Sequence, residues 1–334
     1  MRHFVIVALL IAVLTPLIYF GLDASHVMPI EASAQAVPVD WMWNMDMGAI
    51  AFLFALVMVP LIYALIVFRR RMGEAGDAEP RTDSNTLEVT WTVIPLVLVT
   101  VFAYLGAYSL GETRRVAPNA MEIGVTAHQW DWSFTYPGGF TSNELHLPVN
   151  RQVLLKMQSL DVIHSFWVPE FRVKQDVVPG RTTDLRITPT RIGDYQVRCA
   201  ELCGASHTYM IRPVIVSSEA TYQAWVKDQT VAAAALLAQG GPAAGQAFVA
   251  QSGCAACHSL DGSKLTGPTW RGLYGSKVTL SDGTTVTADE AYLTESILDP
   301  NAKVVQGFQA GIMPKFAMTD DQVKFVVAYL ETLR

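Results

Sequence analysis

The sequence predicts a multidomain membrane protein: a transmembrane helical hairpin, then a small β-sandwich or barrel, then an all-α domain. Three observations predict it. Residues 49–68 and 91–110 are two 20-residue stretches without a charged side chain. Residues 112–216 break into short alternating runs separated by Gly, Pro and Asn, which is the pattern of a small β domain. After Gly240-Gly241-Pro242 the chain turns helical, and 334 residues suit two or three such units.

The membrane part comes first. A bilayer core takes about 20 apolar residues of helix, so 49–68 and 91–110 are spanning candidates, within a hairpin region of 37–111. Pro60 and Pro95 do not exclude this, because neighbouring groups in membrane helices re-satisfy the backbone. Residues 4–20 form a third uncharged stretch behind Arg2. It has the length of a signal sequence or a short span, so 1–36 reads as a signal peptide or an additional transmembrane segment. Small-residue sites stand at Ala32-Ser33-Ala34 and Ala34-Gln35-Ala36. The reading leans slightly to a removed or partly retained signal. Arg69, Arg70, Arg71 and Arg81 place loop 69–90 on the cytoplasmic side by the positive-inside rule, and everything after Leu110 outside. Trp41, Trp43, Trp91 and Tyr108 fall near the interfaces, where aromatic belts form.

The β domain is assigned to 112–218. Ile123, Val125 and Ala127 alternate; Trp130, Trp132, Phe134 and Tyr136 alternate on the opposite parity. That one-residue phase shift predicts a bulge. Further strands are expected at 153–157, 184–188, 194–198 and 211–216. Residues 219–242 read as an Ala-rich helix and a Gly-rich linker. The last domain, 243–334, is helical, most clearly at 319–333. There Thr319 is placed to cap a helix carrying Val323, Val326, Val327 and Leu330 on one face.

Charge excludes one class of function. Residues 112–226 hold 11 Lys+Arg against 11 Asp+Glu, and 241–334 hold 7 against 9. Neither segment has the basic surface that binding a phosphate backbone requires.

The four cysteines form two close pairs, Cys199 with Cys203 and Cys254 with Cys257. Pairs at such spacing are metal or haem signals as much as disulfides. Between Cys199 and Met210 lie two thiols, the imidazole of His207 and a thioether, with Glu201 between the cysteines and His164 available upstream in Asp161-Val-Ile-His164-Ser-Phe-Trp167. Such soft ligands select copper over hard cations. A disulfide, or a Cys2His2 zinc site, accounts for neither Met210 nor Glu201. The second pair stands in Cys254-Ala-Ala-Cys257-His258, the attachment signature of c-type haem. In that reading the thiols become thioethers and His258 binds the iron. The alternative is a redox disulfide followed by an incidental histidine.

The pattern C-x-E-x-C-G-x-x-H-x-x-M, preceded by D-V-x-H-S-F, resembles subunit II of the cytochrome c oxidases over roughly residues 40–220. The resemblance implies a cupredoxin-like domain holding a mixed-valence dicopper centre, CuA. Cys199 and Cys203 would bridge both coppers, and His164 and His207 would bind one each. Met210 would be a weak ligand to one copper and the backbone carbonyl of Glu201 to the other. The Glu201 carboxylate would reach a Mg2+ at the interface with the catalytic subunit.

Gly267-Pro268 and Met313-Pro314-Lys-Phe316, downstream of Cys254 and Cys257, resemble small class I cytochromes c. This implies His258 and Met313, rather than Met318, as iron ligands of a covalent haem c. A cytochrome fused behind a CuA domain resembles the caa-type haem-copper oxidases. The family also implies electron entry at Trp130, in His128-Gln129-Trp130-Asp131-Trp132, although Asp131 departs from the aromatic usual there. Glu88, three residues before Trp91-Thr92-Val-Ile-Pro95, matches a glutamate marking a proton-channel entrance; the plainer reading is an interfacial carboxylate. His128 and His146 read as structural histidines, and His3 and His26 need no function.

The function implied is an electron-entry subunit of a respiratory terminal oxidase in a bacterial plasma membrane, with both cofactor domains outside: it would accept electrons at its own haem c and relay them through CuA to the catalytic subunit. Its expected partners are catalytic subunit I, further oxidase subunits, membrane lipid and a respiratory donor (cytochrome c, a copper protein or an upstream complex), with no nucleic acid. The partner subunit would reduce oxygen to water and translocate protons. The alternatives are the CuA subunit of a nitric oxide reductase and a stand-alone membrane-anchored electron carrier. A quinol oxidase subunit would lack the copper ligands.

Overall fold

The computed structural model describes residues 1–25, 27–70, 73, 83–313 and 318–333. His26, Arg71, Arg81 and Pro314 lie outside the described residues. The chain divides into two compact units, one of residues 1–31 and 35–115 and one of 32–34 and 116–334.

The first unit is three helices: α1 (Arg2–Asp23), α2 (Ala36–Val67) and α3 (Asn85–Thr113). All three are long and apolar enough to cross a membrane. Side chains such as Leu9, Phe54, Val57, Leu96 and Val99 stay exposed along them, as lipid-facing positions do. Both expected spans proved parts of longer helices, because polar residues on their flanks continue the backbone hydrogen bonding. Asp40, Trp41 and Asn44 all lie inside α2. The Ser84 side chain accepts a hydrogen bond from the Leu87 N–H, so α3 begins six residues before the apolar run. Its far end is tied to the start of α2, where the Ser109 hydroxyl donates to the Pro38 carbonyl at 3.2 Å. His3 Nδ1 lies 2.7 Å from the Tyr63 hydroxyl, joining α1 to α2.

The β domain of the second unit has two five-stranded sheets. One is ordered β3-β2-β1-β5-β8 and the other β4-β10-β9-β6-β7. The first holds β1 (Met121–His128), β2 (Asp131–Thr135), β3 (Thr141–Ser142), β5 (Val153–Ser159) and β8 (Thr183–Ile187). The second holds β4 (Leu145–Pro148), β6 (His164–Trp167), β7 (Lys174–Val177), β9 (Gly193–Cys199) and β10 (Ile211–Ser217). The expected bulge is a hairpin. β1 pairs antiparallel with β2 in the register Ala127↔Trp132 and Val125↔Phe134, so Gln129 and Trp130 form the turn. Opposed residues in an antiparallel pair share a face. Each of these pairs joins an odd-numbered to an even-numbered position, which is why the inward parity switches. Ile123, Trp132, Phe134, Leu155 and Phe166 fill the space between the sheets. Each such side chain contributes about 1.5–3 kcal/mol by leaving water.

Residues 32–34 belong to this domain. Ala32 N–H donates to the Glu170 carbonyl, Ala34 N–H to Thr188, and the Ser33 hydroxyl to Phe171 at 2.9 Å. Ala32 and Ser33 are fully buried.

α4 (Glu219–Gln239) starts at the Ser218 cap and ends at Gly240. Trp225 on α4 stacks on His146, with ring centroids 3.8 Å apart. This explains His146 as a structural residue, and burial lowers its pKa.

The C-terminal domain consists of α5 (Gly241–Gln251), a short hairpin of β11 (Lys277–Thr279) and β12 (Thr285–Thr287), α6 (Glu290–Leu298) and α7 (Asp320–Glu331). The hairpin is two three-residue strands, too short to stand out from a loop in a sequence. α7 is capped by Thr319 and Gln322 in a reciprocal capping box. Its Val323, Val326, Val327 and Leu330 are buried together, as the spacing predicts. α5 and α7 cross at Gly245, where an added Cβ would stand 1.9 Å from the Phe325 carbonyl oxygen; only glycine permits that approach.

Candidate functional site

Sheet pairing brings the first ligand group together. β6 lies beside β9 with Phe166 opposite Cys199, which carries His164 to the end of β9. The chain then loops through Cys203 and a 3-10 turn, His207–Tyr209, to Met210 at the head of β10. The result is a chain of soft donor atoms. Cys199 Sγ lies 3.9 Å from His164 Nδ1 and 3.7 Å from Cys203 Sγ. Cys203 Sγ lies 3.5 Å from His207 Nδ1 and 3.8 Å from Met210 Sδ. The Glu201 carbonyl oxygen stands 3.2 Å from Cys199 Sγ, while its carboxylate side is exposed. All four cysteines are free thiols, so the disulfide alternatives do not describe this fold.

His164 is oriented by Asp161. Its Nε2 donates to Asp161 Oδ1 at 2.8 Å, leaving Nδ1 to face the sulfur. Asp161 also accepts from the backbone N–H of Gln129 and of Val162, each at 2.6 Å. Burial alone would raise its carboxyl and lower His164, but these bonds win: the Asp161 pKa falls and the His164 pKa rises. The thiols divide. Burial works to raise both. His164 and nearby backbone groups bring Cys199 down to about 6, whereas burial and the Cys199 charge push Cys203 up to about 12. Two thiolates at this separation repel, so the pair splits in opposite directions. A bound metal deprotonates its coordinating thiols outright. Two facing sulfurs flanked by two imidazole nitrogens, a thioether and a carbonyl fit a pair of thiophilic ions.

The turn between β1 and β2 sits against this loop. Gln129 Nε2 donates to the Cys203 carbonyl at 2.7 Å, and the Trp130 indole lies over Gly204 with 37% of its surface exposed. Asp131, the departure noted above, has a local partner: Arg212 on β10 meets it in a two-bonded pair at 2.5 and 2.6 Å, which raises the Arg212 pKa. The sequence carried no signal for Arg212, which lies 81 residues away.

Around the second motif, Cys254, Cys257 and His258 line a cavity of about 420 Å3 together with Trp270, Met313 and Met318. His258 Nδ1 donates to the Pro268 carbonyl at 2.8 Å, which fixes the tautomer and leaves Nε2 as the ligand atom. The ring stacks on Trp270 at 4.7 Å. Burial lowers the His258 pKa, keeping it neutral, the form that binds a metal. Burial likewise raises the Cys254 thiol to about 11. Mostly apolar walls, two thiols and one oriented imidazole fit a haem held by thioethers. Both methionines reach the cavity, and Met318 also packs on the core formed by α7 and its neighbours. Glu88 lies in the helical unit, in the first turn of α3.

Comparison with known proteins gives three family matches. Residues 21–110 match the cytochrome c oxidase subunit II transmembrane domain. Residues 139–219 match its periplasmic domain, and 242–334 match cytochrome c. Cytochrome c oxidase subunit 2 of Synechocystis is 33% identical over 270 residues, covering 66% of this chain and 81% of the relative. The subunit 2 of Alkalihalophilus pseudofirmus is 30% identical over 310 residues, covering 88% and 87%. Among solved structures, the periplasmic domain of subunit II from Bradyrhizobium japonicum is 31% identical over 34% of this chain and 96% of its own, with a TM-score of 0.33. A haem-copper terminal oxidase dimer matches at 22% identity over 40% of this chain and 100% of its own, with a TM-score of 0.33.

Proposed function

The chain belongs to the cytochrome c oxidase subunit II family, and from that premise we propose which of its residues serve the reaction. It is an electron-entry subunit of a haem-copper terminal oxidase, it associates with subunit I, and its cytochrome c domain fits the caa type. Bound to this chain, a dicopper centre and a haem c supply one-electron redox chemistry; oxygen is reduced in the partner subunit.

His164, Cys199, Cys203, His207, Met210 and the Glu201 carbonyl would hold the copper pair. Cys254 and Cys257 would anchor the haem, and His258 and Met313 would serve its iron. The observation that carries this reading is the unbroken row of donor atoms from His164 Nδ1 to Met210 Sδ, each within 3.9 Å of the next. Fixed donors of this kind suit electron relay, because little has to move when the charge changes. The outside donor, which is a cytochrome c, a copper protein or an upstream complex, reduces the chain's own haem c, and Trp130, on the turn that rests against the copper loop, is where electrons enter the copper centre. The outward carboxylate of Glu201 is free to hold Mg2+ against subunit I. The test is metal and haem analysis of the purified oxidase. Two coppers, one covalent haem and one Mg2+ per chain are expected, with the Mg2+ lost in Glu201→Ala. One zinc and no copper under copper-replete growth would overturn the assignment.

The chain is a membrane protein. We place the start of α3 at the cytoplasmic face, from Arg69 and Arg70 at the end of α2, and both cofactor domains outside. α1 is read as a retained third span, because removal at Ala34 would take the buried Ala32 and Ser33 out of the β domain. A mature chain starting near residue 35, by intact mass, would refute that. Lipid contacts the exposed apolar faces of the helices.

Glu88 then stands where protons enter. Glu88→Cys should react with impermeant thiol reagents only from the cytoplasmic side. Glu88→Gln keeps the size and removes the titrating group. It should slow oxygen turnover while the donor still reduces both centres at normal rate. Unchanged turnover in an assembled variant would leave Glu88 an ordinary interfacial carboxylate.

A further inference from the structure

In the sequence His128 reads as a structural histidine, yet its ring lies against the haem-attachment motif. It ends β1 and is 8% exposed. A Cβ built on Gly253, the residue before Cys254, would stand 3.2 Å from both Cδ2 and Nε2 of that ring. Apart from its own chain neighbours, no other described residue lies within 4 Å of that position. Gly253 also has φ +70°, a conformation glycine adopts without cost. A second contact lies beside the first. Leu160 of the β domain lines the same cavity as Cys254 and Cys257, and its N–H is bonded to Ala127, next to His128, at 3.0 Å. From His128 the chain passes directly to Gln129, whose side chain holds the Cys203 carbonyl at 2.7 Å.

We propose that His128 is a positioning residue that seats the haem-binding domain on the copper-binding domain through Gly253, so that the attachment edge of the haem cavity faces the Gln129–Cys203 hydrogen bond. This rests on the cofactor assignment above. Electron tunnelling falls exponentially with separation, so a seam that sets the gap sets the rate. The attached cytochrome domain therefore has its own approach to the copper loop, through His128, Leu160 and Gln129, next to the exposed Trp130. Glycine at 253 and a flat ring at 128 are what allow the two backbones so close.

The test compares Gly253→Ala, His128→Ala and the double variant in the intact oxidase, with copper and haem content measured first. Hydrogen exchange at 126–131 and 252–258 reports the seam without reference to activity. Photoreduction of the haem followed by the copper absorbance reports transfer across it. Gly253→Ala should raise exchange in both segments and slow haem-to-copper transfer. Adding His128→Ala should restore much of each, since only the ring opposes the new methyl. Transfer from copper to the catalytic subunit, and reduction of the haem by its donor, should not change. Unaltered exchange and transfer in Gly253→Ala overturns the proposal. So does a defect that removal of the ring fails to relieve, which would reduce Gly253 to a backbone requirement. If Gly253→Ala fails to attach haem, His128→Ala decides alone, and normal transfer in it refutes the seam. Missing copper or haem in the unaltered protein would instead refute the cofactor assignment.

Discussion

Cys203→Ser is expected to empty the copper site: copper falls from two per chain towards none, the mixed-valence EPR signal disappears and oxygen turnover drops to background. The thiol sits in the middle of the donor row, 3.7 Å from Cys199 Sγ, 3.5 Å from His207 Nδ1 and 3.8 Å from Met210 Sδ. A hydroxyl there is a poor bridge between soft ions, and without the bridge the remaining donors cannot hold two metals as one unit. Haem attachment, which depends on Cys254 and Cys257, should be normal. A graded companion is Asp161→Asn. Asp161 accepts hydrogen bonds at both oxygens, from His164 Nε2 and Val162 N–H on one and from Gln129 N–H on the other. An amide must turn its NH2 towards one of these donors. Loss of such an outer partner lowers metal affinity by about 10–100-fold. Copper should therefore be retained on purification but removed by far less chelator than from the unaltered protein. A normal EPR spectrum in Cys203→Ser would rule out the dicopper reading.

Met313→Ala is expected to remove the sulfur-to-iron charge-transfer band and to lower the haem potential, with the haem still bound through its thioethers. Axial-ligand identity moves haem potentials over about 0.8 V, so the fall should be on the order of 0.1 V or more. Electron flow from the donor should slow in proportion to the lost driving force. Two methionines line the cavity. Met318 stands just before the Thr319 cap of α7 and, half-buried, packs against the domain core, which suits a structural role. Met313 is not part of that core packing and lines the haem cavity, so it would be free to serve the iron. Met318→Ala should leave band and potential nearly unchanged and cost stability instead, by less than the roughly 2–5 kcal/mol of a fully buried methionine, because Met318 is half-buried. The reverse pattern would move the ligand to Met318, and no change in either variant would mean an iron without a methionine.

Chemistry that sits within a few residues of chain was legible in the sequence. Cys199 to Met210 spans twelve positions and Cys254 to His258 spans five, so ligand type and spacing are properties of the covalent chain. Apolar length made the spans recognisable, although the flanking polar turns that extend α2 and α3 were not. The capped helix at 320–331 was legible because Thr319, Gln322 and the valine stripe are a local pattern with a helical period. Tertiary structure decided what depends on which strands become neighbours. The β6–β9 pairing, with Phe166 opposite Cys199, delivers His164 to a loop 35 residues later. The β1–β2 register turned an expected bulge into a hairpin whose tip rests on the copper loop. Asp131 with Arg212, Gln129 with the Cys203 carbonyl and His128 with Gly253 are pairs separated by 74 to 125 positions. No periodicity links such residues. They meet because burying the inner faces of two sheets fixes strand order and register, and that in turn fixes which surface remains for the attached domain to occupy.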